Sequence, residues 1–357
     1  MVQITSLNAH EAPPEAVRLR YKQYMKTSLA DIDADARIVD LQSLNPDDLP
    51  SDIVLQRRLN TKDLQPAFDN FVSVSGQAGQ VPESIPVFTH RSVTGLLMVP
   101  ALVPPEVQIE LLTRLFHRDL SNSAHKTNLH LHYDIEYPVQ TNGTIEYREV
   151  TPKDDSDQRA MSFFEDRQTR TFSPKDPDVH KPLTMQNVLN KKLRWVTLGG
   201  QYDWTAKVYP AERPPAFPED IAQLLRAAFP ATEPEAAILN LYSPGNTLSP
   251  HRDVSEECDA GLISVSFGCD GLFLISHDDG AGCEVIRLRS GDAVYMDGTS
   301  RFAWHAVPKI LPETCPPWLA DWPSMPGDES TRFQAWKGWM ASKRVNLNVR
   351  QMIADQA

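Results

Sequence analysis

The chain has 357 residues, 41% of them hydrophobic, enough for one large globular domain or a domain with a substantial extension. Its formal net charge of -12 argues against a nucleic-acid partner unless a local basic patch offsets it, because phosphate contacts ordinarily come with a basic surface. Cys258, Cys269, Cys283 and Cys315 show no C-x-x-C pair, no apolar run reaches the roughly 20 residues of a membrane span, and the N-terminus lacks a basic-then-apolar secretory pattern.

These features lead us to expect an intracellular protein of a reducing compartment, nucleus or cytoplasm. The first residues carry Glu11 and Glu15 and little arginine, which speaks against a mitochondrial address. Residues 1–103 mix short helical patterns with polar connectors and read as a partly helical N-terminal extension. Within it the basic residues of 16–26 suit a solvated helix face. After Pro104 and Pro105, the stripe Val107, Ile109, Leu111, Leu112, Leu115 and Phe116 predicts a helix packed on the core. From about Ser121 to Pro182 the chain turns polar, charged and proline-dotted, with residues 153–157 and 172–181 irregular, so residues 104–190 read as that helix plus a long mobile insertion.

Pro218 followed by Ile221, Leu224, Leu225, Ala228 and Phe229 predicts a second helix, ended by Pro230. Short β-rich runs at residues 236–242, 262–267, 272–275, 285–288, 293–296 and 345–349 then predict strands in series, which favours a sandwich or jelly roll over a parallel sheet.

In Ser249-Pro250-His251-Arg252-Asp253 two candidate ligands stand two residues apart after a strand, so on extended backbone both side chains point the same way. His305 follows the turn-strand unit Gly291-Asp292-Ala293-Val294-Tyr295-Met296, and a roll of antiparallel strands would return it beside them. Two histidines and one carboxylate on one face leave three open positions, the facial arrangement that suits non-haem iron(II). A chance H-x-D and a hydrogen-bonded surface histidine are the bland alternatives. His130-Leu131-His132-Tyr133-Asp134 is a rival pair inside the polar insertion, and His277-Asp278-Asp279 reads as a solvated turn.

In Arg344-Val345-Asn346-Leu347-Asn348-Val349-Arg350, alternation sends four polar residues to one face of an otherwise apolar strand. Either this is a solvent-facing edge strand, or Arg344 is the floor of a buried anion site, where a guanidinium fork holds a dicarboxylate. H-x-D, the distant His305 and the terminal R-x-N-x-x-x-R together resemble the AlkB family of Fe(II)/2-oxoglutarate-dependent dioxygenases. Trp195-Val196-Thr197-Leu198-Gly199, Asn240-Leu241-Tyr242 and Gly298-Thr299-Ser300-Arg301 are especially similar to the AlkB-homologue-one subgroup, and the resemblance runs from about Leu193 to Met352.

The resemblance implies an α+β fold whose core is a double-stranded β-helix (jelly roll) with flanking helices, residues 191–357 holding the nucleotide-recognition segment and the dioxygenase core. It implies Fe(II), 2-oxoglutarate and O2 as cofactors, with ascorbate in vitro. His251, Asp253 and His305 would hold the metal, Arg344 the far carboxylate of 2-oxoglutarate, and Asn240, Tyr242 and Asn346 would add hydrogen bonds around it. Arg350 would steady Asp253 or the substrate. The recognition segment falls at residues 199–210, where Trp204, then Tyr209, with Tyr202, would stack a flipped base; without the resemblance three such aromatics read as core. Lys191, Lys192, Arg194, Lys337, Lys343 and Arg344 would supply local positive surface.

The activity implied is removal of N-methyl groups from nucleic-acid bases, N-methyladenine in tRNA, mRNA or DNA, by hydroxylation and loss of formaldehyde. Ser255 stands near a position where the bacterial member carries an acidic residue, a departure that puts a straight copy of its repair specificity in doubt. The alternatives are a basic protein such as a histone as substrate, an abasic-site lyase using Lys337 or Lys343, and a binding module without catalysis.

Overall fold

A computed structural model describes residues 7–72, 82–141, 144–148, 158–210, 212–277, 282–325 and 331–354. Its core is two sheets. The larger has eight strands in the spatial order Trp195–Gly199, Ala236–Tyr242, Arg344–Arg350, Leu262–Gly268, Ala293–Met296, Val93–Val99, Ser84–His90 and Ile53–Asn60. The smaller has five, in the order Ile38–Asp40, Glu284–Leu288, Gly271–Ser276, Trp304–Ile310 and Leu248–His251. Every pairing is antiparallel except that of Ile38–Asp40 with Glu284–Leu288.

The inner faces meet in an apolar layer that includes Phe273, Ile275 and Ile286 from the small sheet and Leu262, Val294 and Met296 from the large one. Outside the large sheet lie the helices Pro105–Thr113 and Glu219–Ala228, whose Leu111, Leu112, Ile221 and Leu225 share a core with Val345, Leu347 and Val349. With a helix layer on one face and a second sheet on the other, the central strands are buried on both sides, and all seven residues of Leu262–Gly268 and of Arg344–Arg350 are buried. The last strand therefore sits at the middle of a sheet, and the edge-strand reading of its polar face falls.

Both predicted helices and all six predicted strands are present within a residue or so at their ends. Three segments differ from expectation. Residues 53–99, read as helical patterns and connectors outside the core, contribute three strands to the large sheet, the innermost pairing Val99 with Ala293 and Leu96 with Met296.

The polar stretch after Ser121 is packed in its described part, not loose: Leu129, Tyr137, Phe163, Phe164 and Phe172 are buried, and Phe164 lies edge-on to Trp322, Trp336 and Trp339. Its aromatics are few and widely spaced, so no periodic stripe marks them. Residues 153–157 lie outside the described residues, as do Asp278 and Asp279. The helix Glu15–Lys26 is solvated on one face only; Val17, Tyr21 and Tyr24 pack with Leu272, Leu274, Trp304 and Ala306 on the outside of the small sheet.

Candidate active site

His251 ends the edge strand Leu248–His251 and pairs directly with His305 on Trp304–Ile310, which places the two rings with centroids 4.3 Å apart. Asp253 follows two residues later and points into the same space. His251 Nε2 lies 3.8 Å from Asp253 Oδ1, and His305 Nε2 lies 3.9 Å from Asp253 Oδ2. Among the described residues this is the only group of three potential ligands whose donor atoms converge, all within 4.8 Å.

The backbone sets the tautomers. Nδ1 of His251 stands 2.9 Å from the Ser249 carbonyl oxygen and Nδ1 of His305 stands 3.1 Å from that of Ala303. A carbonyl only accepts, so each Nδ1 carries the proton and each Nε2 presents a lone pair to the shared space. Burial, reinforced by His251, lowers His305 to about 4, so its ring is neutral and ready to ligate at neutral pH.

Asp253 is prepared from behind. Burial alone would raise its carboxyl, but the charge of Arg350, aided by His305, His251 and Arg301, holds it well below the usual carboxylate range. Arg350 Nη2 donates to Asp253 Oδ2 at 2.7 Å and Asn348 Nδ2 approaches it at 3.4 Å. Arg301, completely buried, donates to the Asp253 carbonyl oxygen at 2.9 Å, to the Ala260 carbonyl oxygen at 2.8 Å and to Glu256 at 3.0 Å. Arg301 appears in the sequence only within a matching string. Asn348 is legible only as one of the polar residues on the inner face of the last strand, and Glu256 carries no signal of its own, because its partner Arg301 is remote in the chain.

Deeper between the sheets, Arg344 is 1% exposed. Its Nη2 donates to Ser266 Oγ at 2.9 Å, while Nε and Nη1 are buried and make no hydrogen bond. A guanidinium buried with two idle nitrogens is costly unless an anion completes it. Gly271 makes the room, since a Cβ there would come within 2.4 Å of Arg344 Nε.

The ring of Tyr242 lies 5.5 Å from the Arg344 guanidinium carbon, and burial raises its hydroxyl to about 12, so it stays protonated. Asn346 donates to Ser264 Oγ and to the Val265 carbonyl oxygen. Asn240, Tyr242, Asn346 and Arg344 line one cavity together with His251, Asp253 and His305.

A family described as the 2OG-Fe(II) oxygenase superfamily matches residues 143–350. The N6-methyladenosine RNA demethylase ALKB1 of Pyricularia oryzae is 44% identical over 98% of this chain and 99% of its own length. The chain belongs to the AlkB family of this superfamily.

Two further AlkB relatives are the N6-methyladenosine RNA demethylase ALKBH of Cryphonectria parasitica, 50% identical over 63% of this chain and 99% of that protein, and the tRNA demethylase abh1 of Schizosaccharomyces pombe, 38% identical over 74% of this chain and 82% of its own. As an AlkB dioxygenase the chain uses Fe(II), 2-oxoglutarate and O2. The residues fit that set: two imidazoles and a carboxylate make a facial nitrogen–oxygen donor group, and the idle Arg344 nitrogens face the same cavity.

The outer cleft of the AlkB core, ≈ 430 Å³, is lined by Trp204 and Tyr202 together with His251 and Asp253. Trp204 lies 5.3 Å from Trp195 and edge-on to Tyr202 at 5.0 Å. Tyr209, expected to stack after Trp204, lines a neighbouring cleft with Val208 and Ser255 and not this one. Its hydroxyl is 3.2 Å from Arg350 Nη1 and 3.4 Å from Glu256 Oε1, so it braces the charge network behind Asp253.

Of the expected positive patch, Arg194 and Lys191 lie near enough to Lys343 to add to the effect of burial in lowering its amine to about 8. Lys343 is buried, donating to the Asn190 carbonyl oxygen at 2.6 Å and to Ser243 Oγ at 2.7 Å, and Lys337 pairs with Asp321 at 3.5 Å. The rival His130 has both ring nitrogens engaged, Nδ1 with Thr127 and Nε2 with the Tyr137 hydroxyl, while His132 leans on His180.

Proposed function

We propose that this dioxygenase removes N-methyl groups from adenine in RNA. The observation that carries the reading is the single cleft in which Trp204 and Tyr202 stand beside His251 and Asp253. A base turned out of its strand and stacked on Trp204 reaches the metal-ligand face, and stacking of this kind stabilises by about 1–3 kcal/mol per base. The relatives named for N6-methyladenosine RNA and tRNA support adenine in RNA over DNA.

In this reading His251, Asp253 and His305 hold iron, and Arg344 takes the far carboxylate of 2-oxoglutarate. Asn240, Tyr242 and Asn346 shape the walls around that molecule. When bound, iron, 2-oxoglutarate and O2 supply the oxidising power that converts an N-methyl to an N-hydroxymethyl group, which then releases formaldehyde. The chain's own part is positional. Arg350 and Asn348 fix the Asp253 carboxylate, the backbone carbonyls fix both histidine tautomers, and the facing sheets exclude water from the inner cavity.

A lyase using Lys343 has little support, because burial and two hydrogen bonds hold that amine away from the cleft, and a basic protein as substrate is favoured by the acidic net charge alone, with no feature of the cleft beside it. The test is turnover with iron(II), ascorbate and 2-oxoglutarate on N6-methyladenine RNA, N1-methyladenine tRNA, methylated DNA and a methylated basic peptide, following succinate and methyl loss by mass spectrometry. Methyl loss from RNA that disappears in His251→Ala is the expected result. Loss confined to DNA or the peptide, or none with succinate at background, overturns the reading.

A further inference from the structure

Between the two inward-pointing ligands, Arg252 faces the other way. Its guanidinium carbon lies 4.7 Å from the centroid of the Trp304 ring, its side chain is 5% exposed, and it pairs with the Glu11 carboxylate. Across the same cleft Lys207, on the recognition segment at a backbone φ of +56°, donates through Nζ to the Ala9 carbonyl oxygen at 2.8 Å. Ala9, Lys207 and Arg252 all line the cleft that holds Tyr202, Trp204, His251 and Asp253.

The short segment they hold is itself shaped. Asn8 accepts from the His10 amide through its side chain and from the Glu11 amide through its carbonyl oxygen. A few residues on, the helix Glu15–Lys26 pins it by burying Val17, Tyr21 and Tyr24 against the small sheet.

Two cations from two different loops thus converge on oxygen acceptors of one strap at the mouth of the site. A carboxylate and a carbonyl oxygen present to them what a phosphodiester presents with more charge. A guanidinium stacked on an indole and mostly withdrawn from water is already ordered for that exchange. In a chain of net charge -12, cations aimed at the mouth are where a polyanion gains purchase.

We propose that Arg252 and Lys207 form a phosphate clamp beside the base-stacking wall, and that residues 8–11 occupy it as an internal competitor that the RNA backbone displaces. The inference rests on the nucleic-acid reading above and adds to it where the backbone enters and what it must push aside.

Full-length protein is titrated into a labelled single-stranded RNA carrying one N6-methyladenine, with anisotropy read at several salt concentrations. Glu11→Gln, a change at a largely exposed position, binds about three- to fivefold more tightly than wild type because the competitor is weakened. Arg252→Gln binds more weakly, and its slope of log affinity against log salt is smaller in magnitude by about one; Arg252→Lys, which keeps the charge, retains the slope. A purely structural role for Arg252 would lower the amount of folded protein without altering that slope. If wild type binds and demethylates RNA while Glu11→Gln is no tighter, or Arg252→Gln keeps the wild-type slope, the clamp is overturned alone. If wild type does not bind RNA at any salt, the clamp and the nucleic-acid reading fall together.

Discussion

At the scale of single residues the site is a set of charges that each need a partner. Arg344 has one hydrogen bond to Ser266 and two idle nitrogens, so its completion depends on an anion from solution. Arg344→Gln should raise the KM for 2-oxoglutarate by roughly a hundredfold, the loss of a buried charge-assisted pair, with the RNA KM nearly unchanged. Gly271→Ala should move the same parameter in the same direction, because the added methyl takes the space of the guanidinium; initial rates of succinate formation check both. Arg350 is the counterpart on the metal side. With Arg350→Gln the Asp253 carboxylate keeps only the longer contact from Asn348, and iron affinity, read by competition with a chelator, should fall about 10–100-fold.

At the scale of elements, legibility followed how local the cause is. Ala236–Tyr242, Ala293–Met296 and Glu219–Ala228 advertise themselves through their own periodicity, and His251 with Asp253 through spacing on one short strand. The strands within residues 53–99 did not, because their own residues alternate poorly and they join the core only through Val93–Val99, which pairs with Ala293–Met296 about two hundred positions away, while Ser84–His90 pairs with Val93–Val99 and Ile53–Asn60 with Ser84–His90. The bracing by Arg301 and Glu256 joins residues 45 positions apart and leaves no local pattern. Nothing in the sequence separates Tyr209 from the equally aromatic Trp204 and Tyr202; its contact with Arg350 and its place in the neighbouring cleft do.

The packed segment after Ser121 has its own test. His117 is held between Phe333, stacked at 4.3 Å, and Trp322, and its Nδ1 lies 2.7 Å from Ser162 Oγ. Burial lowers it to about 4. Below about pH 6.5 the unfolded chain therefore binds a proton that the folded one refuses, so stability falls as pH drops through that window and is flat above it, by on the order of 2–3 kcal/mol at its acid end. Denaturant midpoints between about pH 7 and 4 should show this slope, to which the buried His305 and His130, also lowered to about 4, contribute in the same sense, and His117→Phe should make it shallower.

At the scale of the whole molecule, iron and 2-oxoglutarate in the proposed arrangement join the two sheets only together, since His251, Asp253 and His305 stand on the small-sheet side and Arg344 on the large sheet. Ligands that bind only the folded arrangement stabilise it by RT ln(1 + [L]/Kd), about 2.7 kcal/mol at a hundredfold excess over Kd. A melting curve should therefore rise by several degrees with an inert divalent metal plus 2-oxoglutarate, by less with either alone, and return to the apo value on adding a chelator. No change with both present would mean that the two sheets do not share the ligands as placed here.

The strand Arg344–Arg350 carries the proposed co-substrate anchor at one end and the Arg350 brace of the Asp253 carboxylate at the other, with Asn346 and Asn348 between. It works as a ruler. Six steps of extended backbone set the two arginine α-carbons about 20 Å apart, and no loop adjustment can alter that spacing. Because its alternate residues face the helix layer, a one-residue slip of its register would turn Val345, Leu347 and Val349 into the cavity and every polar group into the core at once. Variation within this strand thus bears on the chemistry itself, whereas changes at Trp204 or Lys207, which stop short of the Tyr209 contact with Arg350, alter what is brought to it.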